Sequence, residues 1–131
     1  MTLVHLVLVL ALAEFFFFLN AVGRARTRFG VKAPATSGHE TFERVFRVQM
    51  NTLEQLVIFV PSLLLFAAYV NPTIAAGLGA LFIIGRAFYY RGYVRAANQR
   101  GTGFLISVIP NAALLLGALV GILLALSRHY A

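Results

Sequence analysis

Polar positions are so sparse along this chain that they cut it into four apolar runs. The first, Leu3 to about Val22, is broken by Glu14 and Asn20, and at roughly 20 residues it spans a hydrocarbon core of about 30 Å. A cleaved signal peptide is the weaker alternative, because the run lacks a basic leading segment and is followed by Arg rather than a small-residue cleavage site. The second helix is expected to start near His39–Thr41 and to end at Val70. About 30 residues at roughly 1.5 Å each give ~45 Å, so its polar first third, FERVFRVQMNTLEQL (Phe42–Leu56), should lie in the headgroup layer or project beyond it. Asn71-Pro72 reads as a turn. A third helix then runs from Thr73 or Ile74 to about Arg95, and a fourth from about Phe104 to Leu126. Pro61 and Pro110 are expected to bend the second and fourth, since each removes a backbone donor.

Composition turns these runs into a membrane assignment. The chain has 131 residues, 60% of them hydrophobic and 11% charged, with a mean hydropathy of +0.85. That leaves too little polar material for the shell of a soluble domain. The expectation is one domain over residues 1–131, an all-α antiparallel bundle of four transmembrane helices at about 3–22, 41–70, 73–95 and 104–126. A formal charge of +7 raises nucleic acid as a partner, but the basic residues cluster at the ends of apolar runs, where membrane topology is set.

Charge also orients the bundle. Arg24, Arg26, Arg28, Lys32 and Arg44 lie around the first connection, and Arg91, Arg95 and Arg100 around the third. The Asn71-Pro72 turn carries no charge. Both basic loops are therefore expected on the cytoplasmic side: in the inner membrane if the source is bacterial, in the endoplasmic reticulum if eukaryotic. Gly117-x-x-x-Gly121 fits close helix packing.

Several chemistries are excluded. There is no Cys, hence no disulfide, no Cys-based metal site and no protein thiol nucleophile. His5, His39 and His129 are too dispersed for a metal centre. Neither G-x-S-x-G nor a phosphate-binding Gly loop occurs. A reactive group would have to arrive with a cofactor.

The polar start of the second helix is the strongest local signal. Arg44, Arg47, Asn51 and Glu54 fall at i, i+3, i+7 and i+10 on one side, with Gln49 and Gln55 flanking. A solvated amphipathic entry explains such a stripe in many membrane proteins. Glu54, however, lies about 16 residues or ~24 Å from the far end of its helix, and an ionisable group at that depth is commonly paired and functional. Arg86, Tyr89 and Tyr93 form a matching stripe near the end of the third helix. Arg86 is expected to contact Glu14 or Glu54, and the tyrosines serve equally as an interfacial belt. Cations, amides and one acid suit a small zwitterion with more than one carboxylate. Phe15–Phe18 and Leu114–Leu116 are expected to face lipid.

FERVFRVQMNTLE (Phe42–Glu54) resembles the signature of the MAPEG family, the membrane-associated proteins of eicosanoid and glutathione metabolism. GRAFYYRGYVRAANQRGTGF (Gly85–Phe104) is similar to that family's third helix and following loop, particularly in the microsomal glutathione transferases. The resemblance covers nearly the whole chain. It implies a homotrimer with glutathione between adjacent subunits near the cytoplasmic face. Arg47, Gln49, Asn51 and Glu54 would hold the tripeptide's polar ends, Tyr89 and Tyr93 would line the pocket, and Arg26 would join from the first loop. Arg100 matches the arginine assigned to thiol activation. The family's non-enzymatic activating protein lacks an Arg at the position of Arg47. Gln55 stands where leukotriene-synthase-like members carry an aromatic residue.

The implied function is a glutathione transferase, with possible peroxidase activity, acting on lipophilic electrophiles or lipid hydroperoxides. A non-catalytic lipid- or glutathione-binding scaffold is the alternative that Arg47 and Arg100 argue against. A small channel or transporter, prompted by Glu14 and Arg86 within the membrane, ranks last because no pair of broken helices is visible.

Overall fold

The computed structural model describes all of residues 1–131 and contains four long helices: α1 (Thr2–Phe29), α2 (Glu40–Tyr69), α3 (Pro72–Arg95) and α4 (Gly101–Tyr130). A single 3-10 turn, Ala97–Gln99, links the last two. All four helices are long and apolar enough to cross a membrane. The protein is an all-α integral membrane bundle.

Local chemistry sets the helix ends. α2 begins at His39, whose Nδ1 accepts from the Thr41 amide at 3.1 Å, and Glu40 and Glu43 occupy the first turn, where carboxylates complement the exposed amides. α3 begins at Pro72, earlier than Thr73, because Asn71 Oδ1 accepts from the Ile74 amide at 2.9 Å and proline suits the first helical position. α1 runs past the apolar limit at Val22 to Phe29 and ends at Gly30, whose φ of 70° is left-handed. Between Val22 and Gly30 only Gly23 weakens a helix, by about 1 kcal/mol relative to Ala, no proline interrupts it, and Arg26 and Arg28 in the last turn favour its negative end. Both prolines lie inside uninterrupted helices, Pro61 in α2 and Pro110 in α4.

On α1 the buried positions Val4, Val7, Ala11, Phe18, Ala21, Val22 and Ala25 recur at three- and four-residue spacing, the stripe of a helix packed on one side. Phe18 of the aromatic run and Leu114 of the leucine run fall on such stripes and are buried, unlike their neighbours Phe16, Phe17, Leu115 and Leu116. The expectation that both runs face lipid throughout is thus corrected by helical periodicity. One apolar cluster, with Val7, Phe59, Leu63, Phe82 and Leu114, fills the end remote from the basic loops, and a smaller one around Ala21, Val31, Phe42 and Val45 fills the basic end.

Glycine controls the closest approaches. A Cβ on Gly103 would collide with the Tyr89 backbone, and one on Gly85 would lie 2.5 Å from the Ser107 amide nitrogen. Gly117 and Gly121 meet Phe66, Tyr69 and Val70, so that small-residue pair packs against α2 of the same chain. Because backbone cannot yield as a side-chain tip can, Gly103→Val is expected to cost about 3 kcal/mol or more. Gly77→Ala, at a helical position with open space around it, should be neutral or slightly stabilising. Thermal unfolding of both variants in detergent checks the contrast.

Candidate functional site

The stripes on α2 and α3 converge with the start of α4 at the basic end. There Arg47 and Asn51 from α2, Tyr89 and Tyr93 from α3, and Arg100, Gly101 and Phe104 from the α4 start line an open cavity of about 340 Å³. That volume is within the range of small-molecule sites. Tyr89 and Tyr93 meet edge to face, with ring centroids 5.4 Å apart, and Phe104 closes the apolar side against Tyr89 at 6.1 Å. The Arg100 guanidinium carbon stands 5.5 Å from the centre of the Tyr93 ring, and its Nη1 donates to the Ala97 carbonyl at 2.7 Å.

Beneath the cavity lies Arg86, completely buried. Its Nε and Nη2 donate to Thr52 Oγ1 at 3.2 and 2.8 Å, its Nη1 to Ser107 Oγ at 3.1 Å, and Nη2 also to Asn51 Oδ1 at 2.8 Å. The expected contact with Glu14 or Glu54 is therefore corrected. The register that stacks Phe18 on Tyr90 and sets Val7 against Gly79 brings Glu14 level with Arg86, yet the chain's only ion pairs are Arg44–Glu40 at 2.8 Å and Arg47–Glu54 at 3.6 Å. Neutral oxygens take the guanidinium's hydrogen bonds, and no carboxylate is in direct contact with it.

This network fixes what the cavity offers. A guanidinium only donates, so Asn51 must turn its oxygen to Arg86 and keep its amide NH₂ for the cavity. Arg47, Arg100 and the two tyrosine hydroxyls add further donors. The Gly101 amide does too, since α4 opens without a side-chain cap and the first amides of a helix have no partner within it. A wall so rich in donors fits a ligand rich in acceptors, carboxylates above all.

The other named residues lie around this wall. Glu54 borders it through Arg47. Gln49 is nearly buried, at 8% exposure, and does not line the cavity. Arg26 is on another face, where Nη1 donates to the Ala35 carbonyl at 2.7 Å and the guanidinium packs on the Phe42 ring at 4.9 Å. Arg44, despite its place in the stripe, ties the start of α2 to the end of α3 by donating to the Val94 carbonyl at 3.2 Å. Gln55 turns toward α4, accepting from Asn111 Nδ2 at its side-chain oxygen (2.9 Å) and at its backbone carbonyl (3.2 Å). Sequence pattern alone does not single out Gly101, Phe104, Thr52 or Ser107. Gly101 reads as part of a glycine loop after Arg100 and Phe104 as the start of the fourth helix, and the hydroxyl residues are unremarkable until Arg86 is seen between them.

Comparison with known proteins adds kinship. The MAPEG family model matches residues 4–120. An uncharacterized protein of Synechocystis is 55% identical over 102 residues, covering 78% of this chain and 74% of that one. Microsomal glutathione S-transferase 2 of Bos taurus is 38% identical over 122 residues, covering 93% and 84% respectively. Leukotriene C4 synthase of Mus musculus is 34% identical over 116 residues, covering 88% and 77%.

Proposed function

The chain belongs to the MAPEG family, and from that kinship together with the cavity's chemistry we propose that it is a membrane-embedded glutathione S-transferase. The observation that carries this reading is the donor-lined cavity of Arg47, Asn51, Tyr89, Tyr93 and Arg100 at the basic end. Glutathione supplies two carboxylates, which pair with Arg47 and the Asn51 amide, and an ammonium, which suits Glu54 beside Arg47. Its thiol lies at the α4 start, where the Arg100 guanidinium and the positive end of the helix favour the anion. The thiolate attacks an electrophilic carbon of a lipophilic partner arriving from the bilayer. A carbon–sulfur bond forms, and the leaving group departs with its electron pair. With a hydroperoxide as partner, the same thiolate attacks the terminal oxygen, the O–O bond breaks and the alkoxide leaves to take up a proton as the alcohol; a second glutathione then displaces water from the resulting sulfenic acid to give the disulfide.

The proposed assembly is a homotrimer with the tripeptide between subunits and the site on the cytoplasmic side. That arrangement gives Arg26 and Gln49 a role that one chain alone does not, since a neighbouring subunit can bring them to the edge of the cavity.

The test is a titration of the purified protein with glutathione, followed by turnover of a model aryl halide. Saturable binding at millimolar concentrations or below and glutathione-dependent conjugation are expected; no binding would leave a scaffold as the better reading. Asn51→Asp sharpens the test. It exchanges the NH₂ facing the cavity for a carboxylate oxygen while keeping an acceptor for Arg86, so glutathione affinity is expected to fall about tenfold or more.

A further inference from the structure

We propose that the groove between α1 and α3 at the basic end binds an anionic phospholipid, its phosphate held by Arg24 and Arg28 and an acyl chain lying on the apolar floor. The groove encloses about 340 Å³, with Ala21, Ala25, Val45, Tyr90 and Val94 beneath and Arg24, Arg28, Phe29 and Thr41 around it. It is separate from the cavity that holds Arg100 and shares no residue with it.

Three observations carry the assignment. First, the two arginines lack polar partners. They are exposed, and their recorded contacts are with the faces of Phe17 and Phe29, at 5.4 and 5.3 Å. The chain has four acids: Glu40 and Glu54 are taken by Arg44 and Arg47, Glu43 accepts from the Gly38 amide, and Glu14 is deeper on α1. No carboxylate remains for this pair. Second, spacing suits one phosphate. Residues at i and i+4 have Cβ atoms about 5–6 Å apart, so two guanidinium forks can close on a single phosphodiester. Third, depth suits a lipid. Arg24 follows directly on the apolar run ending at Val22, the level of the headgroup phosphates. Immediately below, Phe16 and Phe17 are exposed to the hydrocarbon. A soluble anion would gain nothing from the alanine, valine and tyrosine floor; an acyl chain gains its burial.

Arginines at a membrane edge also serve to orient a chain, and a second pair provides the control. Arg91 and Arg95 have the same spacing on α3, but they border a groove with a single apolar side chain, Phe88, and with Gly92, Gln99, Thr102 and Gly103. Topology and general surface charge treat the two pairs alike. A lipid site does not.

The experiment is native mass spectrometry of the full-length protein released from detergent, titrated with phosphatidylglycerol, phosphatidylcholine or inorganic phosphate. Phosphatidylglycerol is expected to stay bound, phosphatidylcholine to be lost on activation, and inorganic phosphate not to displace the lipid at equal concentration. The double variant Arg24→Gln/Arg28→Gln should weaken phosphatidylglycerol retention about tenfold or more, with Arg91→Gln/Arg95→Gln within about twofold of the parent. Equal losses in the two doubles would reduce the effect to surface charge. Equal retention of phosphatidylcholine would remove the role of the arginines, and displacement by phosphate would remove that of the floor. A change of oligomeric state in the first double would mean that a neighbouring subunit occupies the groove. Because the readout does not involve glutathione, the transferase reading stands or falls separately.

Discussion

Arg100→Ala is expected to lower kcat/KM for glutathione conjugation by about ten- to thirtyfold at neutral pH while leaving the fold intact. A free thiol has a pKa of about 8.5, so only a few per cent is ionised at pH 7. A cation within a few ångströms typically depresses such a pKa by about 1–3 units, which makes the thiolate dominant. Arg100 is exposed and its one recorded hydrogen bond, to the Ala97 carbonyl, lies within the turn before α4, so its loss should cost little stability. The sign of the pH effect follows. Without the guanidinium the bound thiol reverts toward its ordinary pKa, and the rising limb of the pH–rate profile moves to higher pH by the amount of the lost depression. Activity is then regained as pH increases through about 8.5. Arg100→Lys keeps a charge but not the planar fork and should fall between the two. Ultraviolet difference spectra of the glutathione complex read the thiolate directly, and an unchanged thiolate band in Arg100→Ala would remove this residue from thiol activation.

How the site is assembled explains what sequence alone reveals of it. Periodicity places Arg47 and Asn51 on one side of α2 and Tyr89 and Tyr93 on one side of α3, and the loop charges put those stripes at the same end. Arg100 was reached through family resemblance, because a lone arginine after Asn98-Gln99 and before a glycine pair has no periodic signature. The helix ends follow the same logic. An apolar run measures the membrane and not the helix, so α1 outlasts its run by seven residues, as far as Gly30 allows. Gly101 and Gly103 look like a loop, yet they open α4, and Gly103 is small because the α3 backbone lies against it. The partners of Arg86 were hidden for another reason. Sequence reading looks for a carboxylate opposite a buried cation, whereas three ordinary side chains, Asn51, Thr52 and Ser107, share that charge.

The two polar layers divide the labour in this end of the bundle. The upper one faces the cavity and carries donors that can move: Arg47 and Arg100 are exposed. The lower one, around Arg86, is buried and connected to two other helices, so it holds the inner wall while the upper side chains adapt to a ligand. Substitutions in the upper layer should therefore change affinity or rate with little change in melting temperature, and those in the lower layer should change both.

Arg86→Leu is the sharpest case of the second kind. The substitution removes a fully buried guanidinium and with it four hydrogen bonds linking α3 to α2 and α4. The Thr52 and Ser107 hydroxyls can rotate to other acceptors, and Ser107 already reaches the Phe104 carbonyl at 3.0 Å. Asn51 lies on the wall of the open cavity, so its amide can turn and present Oδ1 to water there. The lost ties between helices and the space left around the shorter side chain set the cost, and a loss of about 1–3 kcal/mol is expected in chemical or thermal unfolding. Stability and site geometry separate in the ligand assay. If Arg86 only stabilised the bundle, glutathione affinity measured well below the melting temperature would be unchanged. If it sets the Asn51 amide, affinity should fall about tenfold even at temperatures where the variant is fully folded. Arg86→Lys should not restore it, since one ammonium cannot reach Thr52, Ser107 and Asn51 with the spread of a guanidinium. Full affinity in a folded Arg86→Lys or Arg86→Leu protein would show that the Asn51 orientation is set elsewhere.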